Sequence, residues 1–373
     1  MEDLLQIVRS KKKTSEQLAQ SSGVNERRVA EILTGAEPTM AELRSFAKAL
    51  RVSVTDLLEA AEDAERIQTL FRHGFYRQVA SRPEAEQQVV KVFSQVFELL
   101  GTYQPSNRWV DAVPTIEESY KGAEELSLWF RATYCGGNFI GPVQRLPAVT
   151  EEMLGIPVIV GEGRVDGASV VKKGWPLLYV AVRNFAPRML FTLAHEVGHL
   201  LVHHDLSHEV AFVDQDIEND ATTKCSGEML VDAFAATLLV PSQGIGIAFQ
   251  KIRDLLSIKK NAPVGDIEIL FLARIFGVSF SVAANRCEAV DLLPAGGGAS
   301  LYAQIQREYV SPEQKADALG LPEREAVEFP SISKALMNET VKRVREGTVS
   351  IGRAAEILKT TIASVTAWNA PTL

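Results

Sequence analysis

The sequence predicts an α+β chain made of four successive parts. Short helical runs with capping residues fill residues 1–60, and further helical patterns follow over 61–114. Three strand-like runs precede a long apolar helix inside 115–293, and helical patterns return over 294–373. We therefore predict an all-α N-terminal domain, a helical linker, a domain with a small sheet, and a helical C-terminal segment.

The composition is that of an ordinary globular protein. The chain has 373 residues, of which 46% are hydrophobic and 23% charged, so it can bury more than one core. No apolar run approaches the roughly 18 residues of a membrane span, and the N-terminus opens with acidic residues, so we expect a cytoplasmic protein with no membrane partner. The net charge of −8 argues against nucleic acid covering the whole chain, so any DNA contact must come from a local basic element.

Residues 4–58 have the pattern of five short helices. Thr14 caps the second helix, Gly23 makes the turn after it, and Asn25 caps the third, while Pro38 starts the fourth. The segment SEQLAQSSGVNERRVAEILTG and the following PTMAELRSFAKALRVSVTDLLE resemble the five-helix DNA-binding domain of Cro/repressor-type (XRE) regulators.

That resemblance implies that the third helix enters the major groove of DNA with its early residues on base edges. The candidate base contacts are Asn25, Arg27, Arg28 and Glu31, and the basic run Lys11, Lys12 and Lys13 is a candidate phosphate contact. Over residues 1–55, however, 9 Lys and Arg stand against only 7 Asp and Glu. A helical protein-interaction domain therefore remains the alternative.

The predicted linker, 61–114, contains the helical run PEAEQQVVKVFSQVFELLG, which has an apolar stripe along one side. Repressor-type domains usually read two half-sites as dimers, so we interpret this part as a spacer that pairs subunits in a homodimer. The stripe consists of Val89, Val90, Phe93, Val96 and Phe97.

Three strand-like runs, IPVIVG, DGASVVKK and PLLYVAVR, are separated by turns at 161–163 and 173–174. They lead into the helix LFTLAHEVGHLLVHH, whose apolar residues recur at helical spacing. Peptidases with an HExxH helix need such a sheet, because an extended edge strand can hold a substrate backbone beside a metal ion. The sequence leaves open which strand is the edge.

The helix carries His195 and His199 four residues apart, so both imidazoles stack on one face and can reach a single ion. Glu196 lies one step round the helix, beside the ion but away from the ligand face. That position suits a general base that takes a proton from water. The HExxH pattern therefore predicts part of a metal site together with its catalytic base.

A second helix, EMLVDAFAATLLV, ends at Pro241 and offers two carboxylates on one face, Glu228 and Asp232. Either carboxylate could face the site. We choose Glu228 as the third ligand and Asp232 as the group that orients a ligand histidine through its other ring nitrogen. Two His and one Glu leave a fourth place for water, which is typical of a catalytic Zn²⁺ site, and Mn²⁺ or Fe²⁺ would also fit.

Other ligands are weaker candidates. A metzincin would have a histidine at position 205, where this chain has Asp205. The alternatives left open are His203, His204 or His208 as the third ligand, and Cys225 as an inhibitory thiolate or redox trigger. The three cysteines, Cys135, Cys225 and Cys287, lie far apart and suggest neither a disulfide framework nor a CxxC zinc site.

The pair RMLFTLAHEVGHLLVHH and EMLVDAFAATLLVP resembles the ImmA/IrrE family of metallopeptidases, with Val231 in place of the usual Ala. Residues 267–293 resemble the helical end of that family's domain, so the resemblance covers about 117–293. It implies a zincin-like domain with one Zn²⁺, and a transcriptional repressor as the substrate whose cleavage switches on stress-response or mobile-element genes. The ligands implied are His195, His199 and Glu228, with Glu196 as the general base.

The tail has the pattern of a linker and surface helix over 294–330, followed by two helices, one ended by Gly347 and one capped by Ser350. The segment GTVSIGRAAEILKTT resembles the C-terminal part of longer ImmA/IrrE proteins and, loosely, a helix-turn-helix. We favour a packing or oligomer role, since only Arg353 and Lys359 would be free to touch phosphate.

The sequence thus predicts a DNA-binding regulatory zinc metallopeptidase. The alternative is a transcription factor whose metallopeptidase-like domain is a non-catalytic sensor or dimerisation scaffold. Glu196 favours catalysis, because a purely structural zinc site has no use for a general base.

Overall fold

A computed structural model describes residues 14–33, 36, 38–50, 83–101, 109–203, 210–214, 226–259 and 261–368. Near the N-terminus it contains three helices, α1 (Ser15–Ser22), α2 (Glu26–Leu33) and α3 (Met40–Leu50). Thr14 and Gln17 form a capping box at the start of α1, and Gly23 ends that helix with a φ of +72°, a left-handed conformation that glycine adopts without strain. The first and fifth predicted helices lie outside the described residues.

These three helices share a small apolar core, because each presents residues at helical spacing to the others. The buried side chains include Leu18, Val29, Ile32, Phe46 and Leu50. The turn at Gly23 brings α2 back against α1, which is the arrangement that a helix-turn-helix requires.

The sheet has four strands in the order β1-β3-β2-β4. The strands are β1 (Val158–Gly161), β2 (Gly167–Lys172), β3 (Trp175–Ala181) and β4 (Val210–Asp214). β1 is parallel to β3, and β2 is antiparallel to both β3 and β4. Lys173 and Gly174 join β2 to β3 with φ values of 52° and 79°, which suit a tight hairpin turn. β4 corrects the sequence interpretation, which gave three strand-like runs and no strand after the histidine-bearing helix.

The sheet separates two apolar cores. We call the side that packs against the larger core the front face and the opposite side the reverse face. Side chains alternate along a strand, so Leu178 and Val180 of β3 point to the front face with Val171 of β2. The helices in this part of the chain are α5 (Trp109–Ala112), α6 (Tyr120–Tyr134), α7 (Leu146–Glu152), α8 (Ala186–His203), α9 (Ser226–Leu239), α10 (Ser242–Leu255), α11 (Asp266–Phe276), α12 (Phe280–Ala289), α13 (Gly297–Tyr309) and α14 (Pro312–Ala318).

The reverse face of the sheet packs against one helix that precedes the sheet in the chain and three helices near the C-terminus. These are α4 (Pro83–Leu99), α15 (Lys334–Arg345), α16 (Ile351–Ile357) and α17 (Ile362–Ala367). Leu177 and Tyr179 of β3 and Val170 of β2 contribute to this second core. The stripe from Val89 to Phe97 is buried there, so the surface that we interpreted as pairing subunits is covered by the chain's own sheet.

The segment predicted to be a linker and surface helix also contributes to a core. Ile305 of α13 and Ala316 of α14 are 0% exposed and belong to the front core. Residues 321–333 then run without helix or strand to α15. The buried carboxylate of Glu151 accepts hydrogen bonds from the backbone N–H groups of Val158 (3.1 Å) and Lys334 (2.8 Å), so it joins the start of β1 to the start of α15.

The C-terminal helices have the packing role that we favoured. Ser350 accepts a hydrogen bond from Arg353 N and caps α16. The Arg353 guanidinium is paired with Glu98 of α4 at 2.7 Å and with Glu356 at 3.0 Å. It is therefore engaged in joining α16 to α4.

Within the described part of the chain, no single helix has the length and apolar character needed to cross a membrane. Two bent helix pairs, Gly227–Leu239 with Ser242–Leu255 and Asp266–Phe276 with Phe280–Ala289, meet the criterion by length and composition only.

Candidate metal centre and DNA-facing helix

Helix α8 lies in the front core and is held there by apolar side chains at helical spacing. Leu190, Leu193 and Val197 are all 0% exposed. The same spacing places His195 and His199 one turn apart, with their Nε2 atoms 3.0 Å from each other and their ring centroids 4.7 Å apart. Both histidines are buried, so the polar pair sits inside the core.

Helix α9 approaches α8 closely because residue 198 is a glycine. A Cβ at Gly198 would lie 2.8 Å from Cγ1 of Val231 and 2.9 Å from Cδ1 of Phe234. Val231, the departure from the family pattern, thus packs on the glycine of the HExxH motif. The close packing brings Glu228, in the first turn of α9, beside the two histidines.

His195, His199 and Glu228 form a compact group whose ligand atoms all lie within 4.8 Å of one another. The Nε2 atoms of His195 and His199 are 3.4 and 3.6 Å from the two carboxylate oxygens of Glu228. Tetrahedral zinc with bonds of about 2.05 Å would separate its ligand atoms by about 3.3 Å. The three donors thus already have the spacing that such an ion needs.

The chemistry of this group also fits a metal ion. Glu228 is 2% exposed, and burying a carboxylate is costly unless a cation or several hydrogen bonds compensate its charge. Neutral imidazoles and a carboxylate are ligands that Zn²⁺ and Mn²⁺ accept. Among the described residues, this is the group of His, Cys, Asp and Glu side chains that could hold a metal.

Asp232 lies one turn after Glu228 and is on the same side of α9. Its Oδ1 atom is 2.9 Å from Nδ1 of His195. A carboxylate at that distance favours a proton on Nδ1, which leaves the Nε2 lone pair directed toward Glu228 and His199. That tautomer is the one that would let His195 bind a metal ion through Nε2.

Glu196 is 0% exposed and faces β2, whereas Gly198 of the same helix packs on α9. The Glu196 carboxylate lies against Gly167, the first residue of β2, close enough that no side chain fits between them. The sequence did not indicate this contact. The Glu196 side chain thus lies between α8 and β2.

The competing ligands fall largely outside the described residues. His204, His208 and Cys225 lie there, and so does the side chain of His203. Burial raises the pKa of the Cys135 thiol to about 11 and that of Cys287 to about 12. Both thiols are therefore protonated and unreactive at neutral pH.

Two buried arginines that sequence reasoning missed lie at the C-terminal end of α9. Arg131 Nε donates to the carbonyl of Leu238 at 2.9 Å, and Arg286 Nε donates to that of Val240 at 2.8 Å. Burial lowers the pKa of each guanidinium to about 10. They satisfy the last carbonyls of the helix that presents Glu228 and complement its negative end.

The predicted base-contacting residues lie at or on α2, whereas the candidate phosphate contacts Lys11, Lys12 and Lys13 lie outside the described residues. The side chain of Asn25 accepts a hydrogen bond from Arg27 N at 2.9 Å, so it caps the helix. The Arg27 side chain is 89% exposed, and its Nε lies 3.5 Å from Glu31. Arg28 Nε instead lies 2.8 Å from the carboxylate of Glu42 on α3, so this arginine ties α2 to α3.

Two family models match this chain. Residues 151–288 match the IrrE N-terminal-like domain of peptidase family M78, and residues 4–57 match a helix-turn-helix domain. No curated protein matches the chain. The matched regions contain the group of His195, His199 and Glu228 and the helices α1 to α3, respectively. The chain thus joins an XRE-type helix-turn-helix domain to an IrrE N-terminal-like domain.

Proposed function

We propose that this chain is a cytoplasmic, DNA-binding regulatory zinc metalloendopeptidase that cleaves a transcriptional repressor or a similar regulatory protein. Cleavage of that repressor would derepress stress-response or mobile-element genes. The observation that carries the proposal is the buried group of His195, His199 and Glu228 with the carboxylate of Glu196 on the next position of the same helix. A closed structural site would use four protein ligands and would not need that carboxylate.

The residues support peptide hydrolysis as follows. His195, His199 and Glu228 would hold the ion, and Asp232 keeps His195 in the right tautomer. Zinc bound there supplies a Lewis acid that acidifies water and polarises a carbonyl. Glu196 accepts the proton that the attacking water loses and delivers it to the nitrogen of the departing amine. Burial of Glu196 keeps that proton from exchanging freely with solvent.

The N-terminal domain supplies the regulatory half of the proposal. Asn25, Arg27, Arg28 and Glu31 are the proposed DNA-contacting residues, and the exposure of Arg27 makes it the strongest of the four. Such domains usually read two half-sites, so the proposal includes a homodimer. The domain would bring the peptidase to a repressor that is bound at a promoter.

The test of the ligand set is the metal content of the purified full chain. We expect about one zinc per chain in wild type and in Glu196→Gln, and loss of zinc in Glu228→Ala. Met229→Ala is a suitable control, because Met229 is on α9 beside Glu228 and is 61% exposed. Wild type that binds no zinc after reconstitution would contradict the proposal and favour the scaffold alternative.

The test of proteolysis is a reporter gene under the regulated promoter. Glu196→Gln should abolish derepression while DNA binding by the N-terminal domain remains intact. Arg27→Ala should instead weaken DNA binding and leave zinc content unchanged. Regulation that is identical in wild type and Glu196→Gln would mean that the second domain acts as a non-catalytic sensor or dimerisation scaffold.

A further inference from the structure

The contact between Glu196 and Gly167 restricts what residue 167 can be. A Cβ there would lie 2.6 Å from Cγ2 of Thr192 and 3.0 Å from Cδ of Glu196, and nearer still to a carboxylate oxygen of Glu196. The Glu196 carboxylate is the movable end of a side chain, whereas the strand backbone is fixed by pairing on both sides. A methyl group at 167 would therefore displace the carboxylate rather than the sheet.

The preceding residue, Asp166, ties the start of β2 to α8. It is 3% exposed and forms an ion pair with Arg188, which lies on α8 two turns before Glu196. Its Oδ1 atom is also 2.7 Å from Nη2 of Arg183, just after β3. A buried carboxylate held by two guanidinium groups fixes the spacing of strand and helix at the point where Glu196 lies.

The three metal-ligand candidates depend on a different contact. His195, His199 and Glu228 are brought together where α8 meets α9 at Gly198, on another side of α8 from β2. Changes at 166 and 167 therefore reach Glu196 without passing through the ligand group. We propose that Asp166 and Gly167 are positioning residues that set the place of the Glu196 carboxylate relative to the metal site.

This inference rests on the proposed peptidase function, and its test uses a readout other than turnover. Acetohydroxamic acid chelates zinc, and its hydroxyl gives its proton to a neighbouring carboxylate, so its affinity reports where that carboxylate is. Binding to the zinc-loaded full chain is measured by calorimetry for wild type, Glu196→Gln, Gly167→Ala and Gly246→Ala. Gly246 is the matched control, because a Cβ there meets nothing within 4 Å.

We expect Glu196→Gln and Gly167→Ala to weaken acetohydroxamate binding by similar factors, on the order of tenfold, the size of one lost hydrogen bond to a charged group. Gly246→Ala should bind the probe as wild type does, and all four proteins should keep about one zinc per chain. Gly167→Ala that retains zinc and binds the probe like wild type would overturn the proposal.

A second variant, Asp166→Asn, has the same size as wild type and tests the positioning role if Gly167→Ala does not fold. It should retain zinc and lose affinity for acetohydroxamate. If Asp166→Asn loses zinc, or binds acetohydroxamate like wild type, Asp166 and Gly167 do not position Glu196. Equal binding by wild type and Glu196→Gln would be a different failure, because it would remove Glu196 from the proposed mechanism whatever residue stands at 167.

Discussion

The front and reverse faces of the sheet bury similar apolar side chains but handle polar groups differently. The front core encloses His195, His199, Glu196 and Glu228, each at most 2% exposed. The reverse core is built mainly from the apolar sides of α4, α15 and α16, and its buried Lys172 lies over the Phe97 ring rather than in a group of metal-ligating side chains. Buried polar groups work only at particular distances, whereas apolar side chains need matching volume. Substitutions in the group of metal-ligand candidates should therefore change metal binding, and those of apolar side chains on the reverse face should change stability.

The largest effect is expected on the reverse face. Phe93 of α4 is 0% exposed, so Phe93→Ala should lower the free energy of unfolding by about 3–5 kcal/mol through lost burial and a cavity. Zinc affinity of the folded protein should not change. Urea unfolding and zinc titration measure both, with Phe139→Ala as the control, since Phe139 is 37% exposed. Loss of zinc binding in folded Phe93→Ala would show that the reverse face also controls the metal site.

Arg131 sharpens the comparison, because it is a buried polar residue of α6 that contacts α9 at the end far from Glu228. Arg131→Met should lower the free energy of unfolding by about 1.5–3 kcal/mol, since the carbonyl of Leu238 would lose a charged donor. Thermal unfolding of the full chain measures the loss. Arg145→Met serves as the control, because that side chain is 84% exposed. A loss no larger than in the control would mean that these carbonyls find other donors.

Asp232 tests the front face at the site itself. Asp232→Asn should lower zinc affinity by about 10–100-fold, because His195 loses the group that fixes its tautomer. The free energy of unfolding of the zinc-free protein should change by less than about 0.5 kcal/mol. Competition with a chelator measures the affinity, and Asp254→Asn on the exposed side of α10 is the control. Unchanged affinity would show that His195 is oriented without Asp232.

The smallest effect is expected in the N-terminal domain, where a surface ion pair joins α2 to α3. Hydrogen bonds from Arg28 and Thr39 lower the pKa of Glu42 from 4.5 to about 2. A depressed pKa means that the stabilisation is complete above about pH 4.5 and is lost as the pH falls through about 2. Glu42→Gln should lower the melting temperature of this domain at pH 7 and reduce its acid sensitivity between those pH values.

Circular dichroism of the full chain at several pH values would measure this effect. Glu16→Gln is the control, because Glu16 is exposed in the first turn of α1. A melting profile of Glu42→Gln that keeps the wild-type pH dependence would show that the ion pair does not contribute to folding.

The grouping of the candidate ligands could be predicted because the signal within each helix is local and the family resemblance pairs the two helices. His195 and His199 are one helical turn apart, and Glu228 and Asp232 stand one turn apart on a helix with a clear end at Pro241. Helical periodicity therefore decides which side chains share a face before any tertiary structure is known. The helix-turn-helix was readable for the same reason, through Thr14, Gly23 and Asn25.

The rest depends on contacts between distant parts of the chain. The stripe on α4 shows that one side is buried, but its sequence cannot say whether the cover is another subunit or the reverse face of the sheet. Arg28 appears free for DNA in the sequence, and only folding brings Glu42 to it. β4 was missed because polar residues surround it, and its place at the sheet edge comes from pairing with β2.

The helices that cover the reverse face are needed in any shortened version of this protein. A fragment cut at the limits of the peptidase match, 151–288, would leave the outer sides of β2 and β3 bare. An exposed apolar sheet face favours association with other molecules, so we expect such a fragment to self-associate. A piece that runs from Pro83 to Trp368 keeps both sides of the sheet covered, so the region matched by the family model is shorter than the unit that folds.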